Sequence, residues 1–384
     1  MVIWVSVSPA SKSPIFGENA NGKTVRVFLF SFSIIFSLIA QEEKSLFNSS
    51  TFSGLSFRNV GPAITSGRVA DLAVHPLMPS TYYVAAASGG VWKTTNAGTT
   101  YNPIFDGQGS YSIGCVSIDP HNPNSIWVGT GENNNQRSVA YGDGLYKSDD
   151  AGKTWKKIGL EKSEHIGMIT FDPKTPGKVF VAAYGPLWSD GGDRGVYLSE
   201  DYGNTWENVL DISKYTGVNE VHIHPENPNI VYATAHQRRR HVWTYISGGP
   251  ESAIYKSIDG GKTFEKLTNG LPKGDVGRIA LAIPKTNPDV VYATIEGEDK
   301  NGGFYKSTDR GASFARIGDH QTSGNYYVEL YVDPNDENKI FSMDTYCQVS
   351  LDGGKTFKGL GEKNKHVDNH CMWINPNNSN HYLM

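Results

Sequence analysis

The chain has 384 residues with 42 Gly, 20 Tyr, 8 Trp and only 19% charged residues, long enough to bury a large core and punctuated like all-β structure. Its net charge of −4 excludes a general electrostatic attraction to nucleic acid or anionic membrane, and neither is expected as a partner. Three cysteines, Cys115, Cys347 and Cys371, are too few for a disulfide framework and read as buried strand residues, with a Cys347–Cys371 bridge open to an exported chain.

The first element in chain order is the apolar run from Val27 to Ala40, preceded by Lys23 and Arg26 and followed by Gln41-Glu42-Glu43. It has the pattern of a signal-peptide core and is shorter than the roughly 20 residues that span a bilayer. Residues 1–40 are therefore expected to be an N-terminal extension with a signal peptide, 41–56 a linker and 57–384 the folded body. A secreted or periplasmic location follows, with no stable membrane span.

From Thr94 onward the chain repeats Ser-x-Asp-x-Gly-x-Thr-aromatic. The copies begin at Thr94, Ser148, Ser199, Ser257, Ser307 and Ser350, with Asn96, Asp150, Asp201, Asp259, Asp309 and Asp352 at the third position. They recur about every fifty residues, within the range of propeller blades. Each lies between short apolar runs, such as Leu145-Tyr146-Lys147 before and Trp155-Lys156-Lys157-Ile158 after, which is a hairpin signature. The carboxylate is placed to accept backbone N–H groups of the turn, the Gly to take positive φ and the aromatic to pack between sheets. These acidic residues are assigned to folding.

A Pro-containing turn precedes each box: His75-Pro76, Asp119-Pro120, Asp172-Pro173, His224-Pro225, Ile283-Pro284 and Asp333-Pro334, with Asn375-Pro376 after the last. One repeat is then strand A, the Pro turn, strand B, a variable loop, strand C, the Asp box and strand D, a single four-stranded blade. The fold class predicted is an all-β propeller of six complete blades with Asp-box turns plus a truncated seventh. Continuation into a further C-terminal region is expected with it.

With the boxes on one side, function falls to the irregular loops of the opposite side. The B-to-C loop of blade 2 carries Glu132, Arg137, Tyr141 and Asp143; that of blade 3 carries Trp188 and Arg194; that of blade 4 carries Arg238, Arg239, Arg240, Trp243 and Tyr245. Aromatic rings stack on sugars or anchor peptides, and Asn, Asp and Arg supply directional hydrogen bonds. The expected ligand contacts are Trp188, Trp243 and Tyr245 by stacking and Arg137, Arg194 and Arg239 by hydrogen bonding. Arg68 and Arg278 are placed near the channel mouth. If the chain is a hydrolase, Glu132, Asp143 and Asp368 are its candidate carboxylates. His366, Asp368 and His370 lie in the loop entering blade 7, where alternation would put them on one side as a metal or acid/base cluster. No phosphate loop, His-Glu-x-x-His, Gly-x-Ser-x-Gly or Cys-x-x-Cys occurs, and no cofactor is expected.

The boxes make the chain resemble the BNR/Asp-box propeller superfamily, which includes sialidases, family 74 xyloglucanases, the sortilin (VPS10) ectodomain and photosystem II assembly factors. Phe57-Arg58-Asn59-Val60-Gly61-Pro62, Ser66-Gly67-Arg68-Val69, Ser88-Gly89-Gly90-Val91-Trp92-Lys93-Thr94 and His366 to His370 carry a similarity to large exported bacterial proteins labelled glycosyl hydrolase or sortilin-like. The resemblance implies an exported propeller that binds an extended polymer, glycan or peptide. A xyloglucanase-like hydrolase and a sortilin-like interaction module are the alternatives. Phe57-Arg58-Asn59-Val60 is not the Arg-Ile-Pro motif of sialidases, and Ala87 occupies the position at which the xyloglucanases carry a catalytic Asp.

Overall fold

In a computed structural model, residues 48–55, 67–135, 139–298 and 301–384 are described. The expected signal segment and Arg137 lie outside them. The chain divides into Met1–Gly61 and Pro62–Met384. In the first unit, Asn48 caps a 3₁₀ turn, Ser49–Phe52, by accepting from the backbone of Ser50 and Thr51.

The second unit is built of four-stranded antiparallel sheets in which each strand pairs with the next. Blade 1 is β1 (Val69–Val74), β2 (Tyr82–Ala86), β3 (Gly90–Thr94) and β4 (Asn102–Pro103). Blade 2 is β5 (Ile113–Ile118), β6 (Ile126–Thr130), β7 (Leu145–Ser148) and β8 (Lys156–Gly159). Blade 3 follows with β9 (Ile166–Phe171), β10 (Val179–Ala183), β11 (Gly195–Ser199) and β12 (Glu207–Leu210). Blade 4 contains β13 (Thr216–Ile223), β14 (Val231–Arg240), β15 (Tyr245–Ser247), β16 (Ala253–Ser257) and β17 (Glu265–Lys266), with β15 pairing only with the end of β14. Blade 5 is β18 (Val276–Ala282), β19 (Val291–Gly297), β20 (Gly303–Ser307) and β21 (Ala315–Gly318). Blade 6 is β22 (Leu330–Asp333), β23 (Asp336–Ser342), β24 (Gln348–Ser350) and β25 (Lys358–Gly359). A two-stranded sheet, β26 (Trp373–Ile374) and β27 (Tyr382–Leu383), begins the seventh.

The first strands of neighbouring blades lie against one another, β1 on β5, β5 on β9, β9 on β13, β13 on β18 and β18 on β22, with β26 returning to β1. Among the described residues the core is correspondingly divided into six apolar clusters, each spanning one blade-to-blade interface. That between blades 1 and 2, for example, joins Tyr83, Ala85 and Val91 to Val116, Ile126 and Val128. Both faces of a sheet are buried only by its neighbours, so the radial array is the unit of stability. All three cysteines are buried and free, and no Cys347–Cys371 bridge forms; Cys115 lies in a strand as expected, whereas Cys347 and Cys371 stand in the loops just before β24 and β26. Among the described residues no helix is long and apolar enough to cross a membrane.

Each Asp box joins two blades. In the fourth-blade copy, Asp259 Oδ1 accepts from Ser257 Oγ at 2.7 Å and from the N–H groups of Lys262 and Thr263 at 3.0 Å, while Thr263 Oγ1 donates to Oδ2 at 2.6 Å. These donors turn the chain through two consecutive left-handed residues, Gly260 (φ 80°) and Gly261 (φ 84°). The second must be glycine, because a Cβ there would stand 2.3 Å from the Phe180 ring of the preceding blade. The first is occupied elsewhere by Ala151, Tyr202 and Arg310, at φ 58–62°, so the box imposes this conformation even on side chains that disfavour it.

The result is an outward-turned carbonyl that the preceding blade can reach. Lys93 Nζ donates to the Ala151 carbonyl at 2.9 Å; Tyr232 Oη and Lys256 Nζ donate to that of Arg310 at 2.8 and 2.7 Å. The box aromatic completes the joint, with Trp155 Nε1 donating to the Ile104 carbonyl at 2.7 Å and Trp206 Nε1 to that of Ile158 at 2.8 Å. In the first copy Asn96 Oδ1 still accepts from the Thr94 hydroxyl at 3.0 Å and from the Thr100 N–H at 2.9 Å, but its Nδ2 donates to the Thr100 hydroxyl instead of the carboxylate accepting from it. Asp259→Asn is therefore expected to retain most of the thermal midpoint, whereas Asp259→Ala lowers it by several degrees in a thermal melt.

Candidate functional site

Because the A-to-B and C-to-D turns occupy one end of every blade, the B-to-C and D-to-A loops share the other. The long blade 4 connection is not an irregular loop. β14 runs on for ten residues and folds back as β15, pairing Arg238 with Ser247, Arg239 with Ile246 and Arg240 with Tyr245. Alternation then sends Arg238 and Arg240 to the same side. The Arg238 guanidinium is fully buried 3.7 Å above the Tyr184 ring and donates to the Asn134 carbonyl at 2.5 Å. Arg240 lies 4.4 Å above Tyr245 and donates to the Asn135 carbonyl at 2.9 Å.

The blade 2 loop is thereby clasped from blade 4. On its other side Glu132 pairs with Arg68, accepts from Ser88 Oγ and Asn134 Nδ2 at 3.0 Å, and is almost completely buried. Arg68 also donates from Nε to Tyr326 Oη at 2.9 Å, and the Asn135 N–H donates to the Asn325 carbonyl at 2.9 Å. Loops of blades 1, 2, 4 and 6 thus meet across the channel mouth. Deeper in the channel, Arg278 pairs with Glu329 at 2.8 Å beside a cavity of about 60 Å³ lined also by Asp71, Glu220 and Tyr331.

These contacts decide which expected site residues face solvent. Arg194 does not: it is buried and gives its guanidinium to the carbonyls of Gly191, Tyr184, Pro186 and Ser189, which makes it the staple of the blade 3 loop. Arg278 lies inside the channel and Arg239 is half-buried on the far side of β14. Trp243 is 83% exposed at the hairpin tip, stacked on His241 at 5.3 Å and 12°, and Trp188 is 52% exposed on the adjacent loop. Tyr245 follows Trp243 on the hairpin, and Tyr141 is exposed on the blade 2 loop.

The candidate carboxylates are engaged elsewhere. Glu132 is held by Arg68, and Asp143 accepts from Tyr146 Oη at 2.6 Å and pairs with Lys157 at 3.0 Å. Asp368 accepts from Tyr327 Oη. Its φ of 71° breaks the extended alternation expected from His366 to His370. His366 is exposed, with Nδ1 3.8 Å from Asp368 Oδ2, while His370 is buried and stacked 5.0 Å from the Tyr327 ring. All three border one cavity of about 800 Å³, yet no three His, Cys, Asp or Glu side chains among the described residues are grouped to hold a metal.

The Sortilin-Vps10 family model (Sortilin, neurotensin receptor 3) matches residues 143–249 and 194–346, which together span more than half of the chain. The chain belongs to the Sortilin-Vps10 family, within the Asp-box β-propeller superfamily. It is 31% identical over 170 residues to a probable oligoxyloglucan-reducing end-specific xyloglucanase of Neosartorya fischeri, covering 41% of this chain and 18% of that protein. It is 32% identical over 324 residues to the oligoxyloglucan-reducing end-specific xyloglucanase of Emericella nidulans, covering 76% and 37%. Sortilin of Danio rerio is 26% identical over 178 residues, covering 45% and 20%. The chain thus spans less than two fifths of the length of these relatives. Among solved structures, the GH74 xyloglucanase of Xanthomonas campestris superposes with a TM-score of 0.55 at 18% identity, over 75% of this chain and 45% of that one, a likeness of fold.

Family membership leaves the electrostatics of this propeller to its own residues. Burial holds His165 and His236 well below the ordinary histidine range, His320 near 4 and His370 near 3, so all four are neutral when folded. Unfolding lets them take up protons at about pH 6.5, and stability present above that pH is lost as the pH falls, by about 1.4 kcal/mol per unit for each. Asp71 acts in the opposite sense: burial raises it to about 7, so its contribution is largest below about pH 4 and is lost as the pH rises through 7. Below about pH 4 the box aspartates add to the acid loss, because the Thr or Ser hydroxyl of each box holds Asp201, Asp309 and Asp352 near 2. The thermal midpoint is expected to fall between pH 6.5 and 5, and His320→Gln to make that fall shallower.

Proposed function

We propose that the chain is a glycan-binding propeller of the extracellular space that takes an extended polysaccharide of the β-glucan or xyloglucan class along the rim of blades 2 to 4. The observation that carries this is the aromatic series Tyr141, Trp188, Trp243 and Tyr245 on neighbouring loops of one face, with Trp243 and Trp188 more than half exposed. Exposed aromatics held on stapled loops lose little freedom on stacking against a sugar. Arg194 and the β14–β15 pairing supply that rigidity. The xyloglucanase names of several relatives support the polysaccharide class, and the Lys/Arg-flanked apolar run at 23–43 supports export.

A hydrolase is the second reading, favoured by the same relatives. An inverting glycosidase needs one carboxyl as proton donor and another to activate water. Here Glu132 and Asp143 are each ion-paired, and Ala87 is a buried alanine beside Arg68. Binding without turnover is the reading these contacts support. In affinity electrophoresis through soluble xyloglucan, the wild-type chain should be retarded, and combined Trp188→Ala and Trp243→Ala should weaken binding on the order of tenfold. Release of reducing sugar that disappears in Glu132→Gln or Asp143→Asn would replace the binding reading with the hydrolase. Absence of retardation together with capture of peptides would favour the sortilin-like module.

A further inference from the structure

Between blades 4 and 5, where the chain leaves β17, lies a pocket of about 390 Å³ that none of the expected site residues borders. Its floor is aliphatic, formed by Ile254, Leu267, Leu271, Ile279 and Ile295, and no aromatic ring lines it. Comparison of the repeats shows why it is open. Ile104 and Leu267 hold equivalent positions, each donating its N–H to the adjacent strand, to the Val91 carbonyl at 2.9 Å and the Ile254 carbonyl at 2.8 Å. The next residue in blade 1 is Phe105, 1% exposed and packed with Val91 and Val128 in the interface with blade 2. In blade 4 it is Thr268, which is exposed. Leu160 and Leu210 are likewise buried where blades 2 and 3 leave their fourth strands. Between blades 4 and 5 this apolar plug is missing, and Leu267 and Leu271 stay only half-buried.

We propose that this pocket binds a small aliphatic carboxylate, with its tail on the aliphatic floor and its charged head at the mouth. Lys266, Lys273 and Asp275 line the pocket and are all exposed, so two ammonium groups stand against one carboxylate and the mouth is positive. Lys266 donates to the Pro250 carbonyl at 3.0 Å, whereas Lys273 has no partner among the described residues and is available to an anionic head. A tail on the floor leaves water, while a head at the mouth keeps most of its hydration. A floor without rings gives a sugar nothing to stack on, so the pocket differs from the aromatic rim in the class of ligand it takes. The volume lies within the range of small-molecule pockets, roughly 300–1,000 Å³.

The test is calorimetric titration of the full chain with octanoate and hexanoate, with octylammonium as the cationic control. Saturable binding of octanoate is expected at roughly 0.1–1 mM. Hexanoate should bind about tenfold more weakly, since each buried methylene is worth a factor of about three to four. Octylammonium should bind at least fivefold more weakly than octanoate. Thr268→Phe, which restores the plug of blade 1, should abolish binding without lowering the thermal midpoint, and Lys273→Glu on the exposed loop should weaken it at least fivefold. No saturable octanoate binding, equal binding of octylammonium, or undiminished affinity in either folded variant overturns the proposal. Retention on xyloglucan should be the same in Thr268→Phe as in the wild-type chain, so the pocket and the rim stand or fall separately.

Discussion

A carboxylate satisfied inside a tight turn is the interaction on which this architecture depends. In each complete box the aspartate collects a Ser hydroxyl, a downstream backbone N–H and a Thr or Ser hydroxyl, and thereby fixes the chain in a conformation that presents a carbonyl and an aromatic ring to the preceding blade. A blade in isolation buries only part of its sheet, and these joints bring the next apolar face into register. The six interface clusters follow from that repetition.

Locating the joints on one end of the blades frees the other end for variation. There the chain spends its arginines in three different ways. Arg194 folds its own loop, Arg238 and Arg240 clasp the loop of blade 2, and Arg68 anchors that same loop through Glu132. The loop ends are thereby held while Trp188 and Trp243 stay in solvent. Charge and rigidity are placed behind the aromatic surface, an arrangement suited to a neutral polymer.

Much of the scaffold was legible because its signals are local. Ser-x-Asp-x-Gly-x-Thr and the Pro turn each act within eight residues, and their order gave the four-stranded blade and the face on which loops collect. The β14–β15 hairpin was hidden because Arg238-Arg239-Arg240 lacks the apolar alternation by which a strand is read, although its two-residue period is real. Arg194 was read as a ligand contact because sequence does not reveal that four nearby carbonyls curl around its head group. The Arg68–Glu132 pair spans 64 residues and two blades, a separation no local pattern encodes. His366 to His370 misled in a different way: strict alternation assumes extended backbone, and Asp368 departs from it at φ 71°.

The central claim is that repeated acidic turns are joints and that recognition belongs to the opposite rim. Hydrogen–deuterium exchange of the full chain with and without soluble xyloglucan tests it most directly. The account predicts slowed exchange in peptides covering 184–194 and 238–247, with no change in those covering the boxes at 148–155, 199–206 and 257–264. Protection of the box peptides with the rim unaltered would contradict it.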